Sequence, residues 1–137
     1  MFQKPILIFD ENDDDANLFQ AAIKEIDPMV NTIITKVFSD AKKLISGAKE
    51  DRPMLVFVEI TSENNTGMNL VKFIKGNDDT KIIPTVIITK LNDSNLIDES
   101  FSNGVAGYML KPSDKNDFSD LAKKIVNYWN RSQLPIG

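Results

Sequence analysis

The chain has 137 residues, and its 16 basic and 20 acidic side chains leave a net charge of −4, which disfavours non-specific binding to nucleic acid or to an anionic membrane. With no cysteine and no histidine, disulfides, thiolate catalysis, zinc sites and histidine phosphorelay chemistry within the chain are excluded, leaving oxygen and lysine chemistry. Hydrophobic residues make up 42%, enough for one domain with its own core, residues 1–137. No apolar run approaches the ~18 residues of a membrane span and no cleavable signal pattern is visible, so the expected location is the cytoplasm.

In chain order, Ile6, Leu7, Ile8 and Phe9 predict a short strand buried on both faces, running straight into the acids Asp10, Glu11, Asp13, Asp14 and Asp15. Ala16, Phe19, Ala22, Ile23 and Ile26 recur at three- and four-residue steps and predict the first helix. Asp13, Asp14 and Asp15 read as solvated charges at its N-terminal end, where the helix dipole favours them. "NTIITKVF" predicts the second strand, and a helix follows with Ala41, Leu44, Ile45 and Ala48 on one face and Asp40 as its cap. "PMLVFVEI" is the third strand. A polar loop, "TSENNTG", leads into a helix that turns Leu70, Val71 and Ile74 towards the sheet. "TVIIT" is the fourth strand. Asn92, Asp93 or Ser94 caps a helix through Leu96, Ile97 and Phe101 that ends near Gly104. "GYML" is the fifth strand, and Phe118, Leu121, Ala122, Ile125 and Trp129 form the stripe of the last helix. Such alternation predicts an α/β fold, a parallel sheet with helices on both faces.

Parallel strands present all their C-terminal ends on one edge, so the polar residues ending these strands share a crevice. They are Asp10 and Glu11, Glu59, Thr89 and Lys111. Their oxygens suit a hard cation such as Mg2+.

With the acidic pair after the first strand, Glu59 ending the third, Thr89 ending the fourth and Lys111–Pro112 after the fifth, the chain resembles the receiver domains of two-component response regulators over nearly its whole length. Gly67, "IPTVIIT" and the "G-x-x-G-Y" approach to the lysine agree with that resemblance, and "IVNYWNRSQLP" resembles the tails of stand-alone receivers related to partners of bacterial phytochromes. The resemblance implies a five-stranded (βα)5 flavodoxin-like fold with strand order 2-1-3-4-5 and a role in signalling rather than catalysis. It places Asp10, Glu11 and Glu59 at the Mg2+ positions, Glu59 at the phosphoacceptor, Thr89 and Lys111 at the phosphoryl-binding positions, and Tyr108 at the aromatic switch.

Three residues depart from the family pattern: Glu59 and Glu11 stand where aspartate is usual, and Lys90 where a small residue is usual. Phosphoryl transfer depends on in-line positioning and on charge neutralisation by the metal. The longer acids therefore predict inefficient phosphorylation and Mg2+ bound weakly or not at all, the alternative being a working receiver that a histidine kinase phosphorylates despite these substitutions. Glu59 instead reaches towards the phosphoryl space, where Thr89, Lys111 or Lys90 is within its range, and so imitates the phosphorylated state. The acid cluster is then balanced either by residual metal or by a lysine network. The last helix ends close to the final residue, so no effector module is expected. The implied partners are a sensor histidine kinase or another signalling protein, or a second copy through the fourth helix, fifth strand and fifth helix, with no nucleic acid and no membrane.

Two rival readings rest on fewer residues. "FDEND" faintly resembles the haloacid dehalogenase phosphatases, with Asp10 as nucleophile, but Asn12 stands at that motif's second acidic position. A flavodoxin-like cofactor carrier shares the alternation, but the acidic loop after its first strand would repel a flavin phosphate.

Overall fold

The computed structural model describes residues 2–135. Five parallel strands, β1 (Ile6–Phe9), β2 (Thr32–Thr35), β3 (Leu55–Val58), β4 (Thr85–Thr89) and β5 (Gly107–Leu110), lie in the order β2-β1-β3-β4-β5. The helices between and after them are α1 (Asp13–Ile26), α2 (Phe38–Ser46), α3 (Thr66–Lys75), α4 (Ser94–Ser102) and α5 (Lys115–Arg131).

The apolar strand runs divide their side chains between two cores, because successive residues point to opposite faces. Ile6, Ile8, Leu55, Phe57, Val86 and Ile88 pack under α1 and α5, while Leu7, Phe9, Val56, Val58 and Ile87 pack against α2 and α3. Phe19 of α1 joins the first core, its ring 4.6 Å from Phe57 and 6.2 Å from Phe118 of α5. Both faces are covered, so these strands read as continuous hydrophobic runs rather than alternating ones.

Two local expectations are corrected. Asp40 does not cap α2: the helix begins at Phe38 after Val37, which supplies no side-chain cap, and Asp40 sits within the first turn. Ala48 lies beyond the helix, which stops at Ser46, and is exposed. The cap of α4 is Asp93, which accepts from Leu96 N at 3.0 Å. That helix leaves near Gly104, whose φ of 96° lies in the left-handed region glycine tolerates best. Among the residues of α4 only Ser100 is buried, so this helix covers the sheet loosely.

Candidate functional site

The C-terminal ends of the strands converge as parallel topology requires. Glu59 N–H donates to Phe9 O at 2.8 Å and Lys111 N–H to Thr89 O at 2.7 Å, fixing both residues just past their strands. Lys111 then turns its ammonium inward between three carboxylates, with Nζ 2.8 Å from Asp10 Oδ2, 2.9 Å from Asp15 Oδ2 and 2.5 Å from Glu59 Oε2. The Lys111 side chain is 1% exposed, and those of Asp10, Asp15 and Glu59 are 8%, 14% and 12% exposed. The Phe118 ring lies beneath, its centroid 5.7 Å from Nζ, within cation–π range.

Burial acts oppositely on the partners. It pushes Asp10 up to about 7, against the lowering effect of the Lys111 hydrogen bond and charge. For Lys111 burial works to lower the pKa, but the hydrogen bonds and charges of Asp10, Glu59 and Asp15 prevail and raise it. The ammonium is thus held charged among its acids.

The site residues named from sequence occupy different surroundings. Asp10, Glu59 and Lys111 meet directly. Glu11 is exposed and turns away from the cluster: its Oε1 accepts from Asn64 Nδ2 at 3.1 Å and lies 3.5 Å from the Thr66 hydroxyl. Only the backbone N–H of Glu11 approaches Glu59, at 3.4 Å from Oε1. Thr89 is buried, and its hydroxyl donates to Ile60 O at 2.6 Å while accepting from Leu91 N at 3.1 Å. Lys90 is exposed on the wall of the adjoining cleft, which has a volume of about 360 Å³ and also includes Glu11, Asp15, Glu59 and Thr89. Of the partners foreseen for Glu59, it is therefore Lys111 that holds the carboxylate. Tyr108 is half-buried with its hydroxyl donating to Leu91 O at 2.6 Å, a link from β5 to the loop after β4. Burial, and then the charge of Asp93, raise the Tyr108 pKa.

Asp15 is the member that sequence reasoning set aside as a solvated helix-end charge. It stands four residues before Phe19 and seven before Ala22, on the buried stripe of α1, and that spacing aims it at the cluster. Asn12 fixes the turn: its Oδ1 caps α1 by accepting from Asp15 N at 3.0 Å, and its own N–H donates to Asp10 Oδ1 at 2.9 Å.

A ligand oxygen from each of Asp10, Asp15 and Glu59 lies within 4.8 Å of the others, a donor set of the type a hard divalent cation takes. One oxygen of each already contacts Lys111, so the cation that this arrangement fits as it stands is the ammonium. Asp10, buried and hydrogen-bonded to Lys111 and Asn12, is not presented as the free nucleophile of the phosphatase reading.

The family model for the response regulator receiver domain matches residues 6–123. The probable methanogenesis regulatory protein FilR2 of Methanothrix harundinacea (strain 6Ac) is 26% identical over 103 residues, covering 73% of this chain and 66% of that protein, a little under two thirds of its length. The two-component response regulator ORR5 of Oryza sativa subsp. japonica is 26% identical over 113 residues, covering 82% and 84%. Among solved structures, the Mn2+-bound form of response regulator Rcp1 superposes with a TM-score of 0.87 at 23% identity, over 97% of this chain and 99% of that one, a likeness of fold.

Proposed function

The chain belongs to the response regulator receiver family, and from that premise we propose that it is one receiver domain spanning residues 1–137 that signals without accepting a phosphoryl group. The observation that carries this reading is the 2.5 Å contact between Glu59 Oε2 and Lys111 Nζ. In a receiver the position of Glu59 is that of the acceptor. Here its longer side chain delivers the carboxylate onto Lys111 without any phosphoryl group, a standing imitation of the phosphorylated state.

Thr89 and Lys111 occupy the phosphoryl-binding positions, and Tyr108 the aromatic position that would report the state of the site. The Tyr108 hydroxyl, bonded to Leu91 O, ties β5 to the loop that ends in α4. Asp10, Glu59 and Glu11 hold the metal positions, with Asp15 in the cluster and Glu11 engaged by Asn64. Mg2+ bound there would neutralise charge on the acids. Because Lys111 already does so, Mg2+ binds at millimolar concentration or not at all.

The signal leaves by protein contact in the cytoplasm, received from a sensor histidine kinase or another signalling protein. No described helix is long and apolar enough to cross a membrane. The output face is formed by α4, β5 and α5, where Phe101, Leu110 and Tyr128 are 51%, 43% and 63% exposed, and it admits a partner protein or a second copy. The test is intact-mass analysis after incubation with acetyl phosphate and Mg2+. No phosphoryl mass gain is expected, and a substantial gain lost in Glu59→Gln would establish a working receiver instead.

A further inference from the structure

The loop between β3 and α3 reaches back to the loop after β1 through one amide side chain, that of Asn64. Thr66 decides how that amide is turned. Its backbone N–H donates to Asn64 Oδ1 at 3.1 Å and its hydroxyl donates to the same oxygen at 2.6 Å. A backbone N–H can only donate, so the atom facing it is the amide oxygen, and Nδ2 is left to donate to Glu11 Oε1 at 3.1 Å. The Thr66 hydroxyl also lies 3.5 Å from Glu11 Oε1, but its single proton serves the shorter contact, so Asn64 is the donor that holds the carboxylate.

Glu11 is held beside the acid cluster without joining it. It directly follows Asp10, its N–H lies 3.4 Å from Glu59 Oε1, and its side chain shares the wall of the 360 Å³ cleft with Asp15 and Glu59. A change of rotamer can therefore carry its carboxylate towards those acids. Turned inward, Glu11 would add another carboxylate to Asp10, Asp15 and Glu59, the kind of ligand a hard divalent cation takes. Turned outward, it leaves three acids that the Lys111 ammonium already contacts.

Two effects hold Glu11 outward, and a metal ion separates them. The charged groups on the cleft wall besides Glu11 are Asp15, Glu59, Glu63 and Lys90, with the buried Asp10 and Lys111 adjoining them. Asp13 and Asp14, at the start of α1, are paired with Lys36 and Lys115. The surroundings are thus net negative and oppose an inward turn of another carboxylate. A divalent cation in the cluster reverses the sign of that effect. The Asn64 hydrogen bond is untouched by it and still has to be broken.

We propose that Asn64 is a positioning residue that decides which cation the acid cluster takes. By clasping Glu11 outward it leaves the cluster to the lysine ammonium and withholds from a divalent ion the ligand that would make it competitive. This inference rests on the reading of the cluster as a receiver site held without a phosphoryl group, and gives that site its cation selectivity.

Mn2+ is the probe, since the paramagnetic resonance signal of the free ion falls as it binds, and a titration of the full chain gives the affinity. Asn64→Ala removes the clasp without adding charge. Asn64→Asp keeps an oxygen for the Thr66 N–H and hydroxyl but sets a carboxylate oxygen against Glu11. Asn64 is exposed and belongs to neither core, so both variants should fold as the wild type does. The wild type should bind Mn2+ at roughly millimolar concentration, and each variant about tenfold more tightly, the order of one hydrogen bond to a charged group. Adding Glu11→Ala to either variant should return the affinity to the wild-type value. A merely structural role for Asn64 in the loop would show no such dependence on Glu11.

Micromolar affinity in the wild type would overturn the proposal, because Glu11 would then not be withheld. So would an Asn64→Ala protein that binds no more tightly than the wild type, whatever the added charge does in Asn64→Asp, or a gain that survives Glu11→Ala. Phosphoryl mass taken up by the wild type from acetyl phosphate would end the phosphorylation-independent reading, while a Glu11-dependent gain in Mn2+ affinity would leave the Asn64 clasp standing.

Discussion

Asp15 in the first turn of α1 and Lys111 after β5, 96 residues apart in sequence, meet at 2.9 Å between Oδ2 and Nζ. Since the same ammonium contacts Asp10 after β1 and Glu59 after β3, a single cation joins the ends of three strands and the start of a helix. Three carboxylates so close repel one another strongly, and taking them out of water adds a desolvation cost. Lys111 is what makes the arrangement tolerable.

Replacing Lys111 with methionine should therefore cost about 3–5 kcal/mol, the usual consequence of stranding buried charge. Thermal unfolding near neutral pH should show a Tm lower by about 10 °C or more. With the ammonium gone, the same oxygens become available to a divalent cation. Several millimolar Mg2+ should raise the Tm of Lys111→Met clearly and that of the wild type little. Equal stabilisation of both by Mg2+ would show that metal and lysine occupy separate places.

Asp10 gives the site a pH dependence of defined sign. Its pKa is raised from 3.8 to about 7, chiefly by burial, so between those values the folded state holds a proton that the unfolded chain has released. The stability this group contributes is present below about pH 4 and is lost as pH rises to about 7. Asp10→Asn should flatten that part of the stability profile and raise Tm above pH 7. Urea unfolding of both proteins across pH 4–8 checks it, and a variant less stable than wild type at pH 8 would mean that the Lys111 contact outweighs burial.

The strands were legible because each is a short apolar run bounded by turn or charge signals, and a sheet covered on both faces demands such runs. Asp10, Glu59 and Lys111 were legible as a group because parallel strands share one C-terminal edge. Asp15 was not picked out, since an acid in a first helical turn is adequately explained by the dipole alone. Only its place on the Phe19 stripe distinguishes it from Asp13 and Asp14, which pair with the exposed lysines Lys36 and Lys115. Glu11 shows the opposite limit: it directly follows Asp10 at the end of β1, but its rotamer depends on Asn64 and Thr66, more than 50 residues away. Long-range side-chain choices of this sort leave no local pattern.

Gly67 is needed for contact rather than for conformation. A Cβ there would stand 2.1 Å from Glu59 O and 3.1 Å from Glu59 C, both backbone atoms that cannot swing aside. Gly67→Ala must push α3 away from the end of β3, and overpacking of this kind costs about 1–3 kcal/mol. Circular dichroism melts should show the loss, and because the displaced atoms belong to Glu59, Mg2+ should raise the Tm of the variant more than that of the wild type. A melt unchanged from wild type would mean that the loop relaxes freely.

The sharpest expectation concerns phosphoryl transfer in Glu59→Asp variants. Glu59→Asp alone returns the nucleophile to the family's reach, yet leaves Glu11 held by Asn64 and the Lys90 side chain beside the cleft. Magnesium must neutralise charge that develops on the transferred group, so an ill-held ion removes the largest favourable contribution even with the attacking carboxylate correctly placed. Misplacement near an ångström already loses on the order of 100-fold in rate. Glu59→Asp combined with Glu11→Asp and Lys90→Ala should label with acetyl phosphate and Mg2+ measurably, and the single variant far more slowly. Shortening residue 59 also withdraws its carboxylate from Lys111, opening room for the ion in both proteins, so the difference between them isolates residues 11 and 90. The opposing argument is that Lys90 adds a helpful cation and that Glu11 swings to the metal once Glu59 is shortened. If single and triple variants label equally fast, residue 59 is the sole lesion, and the remainder of the site is that of a working receiver.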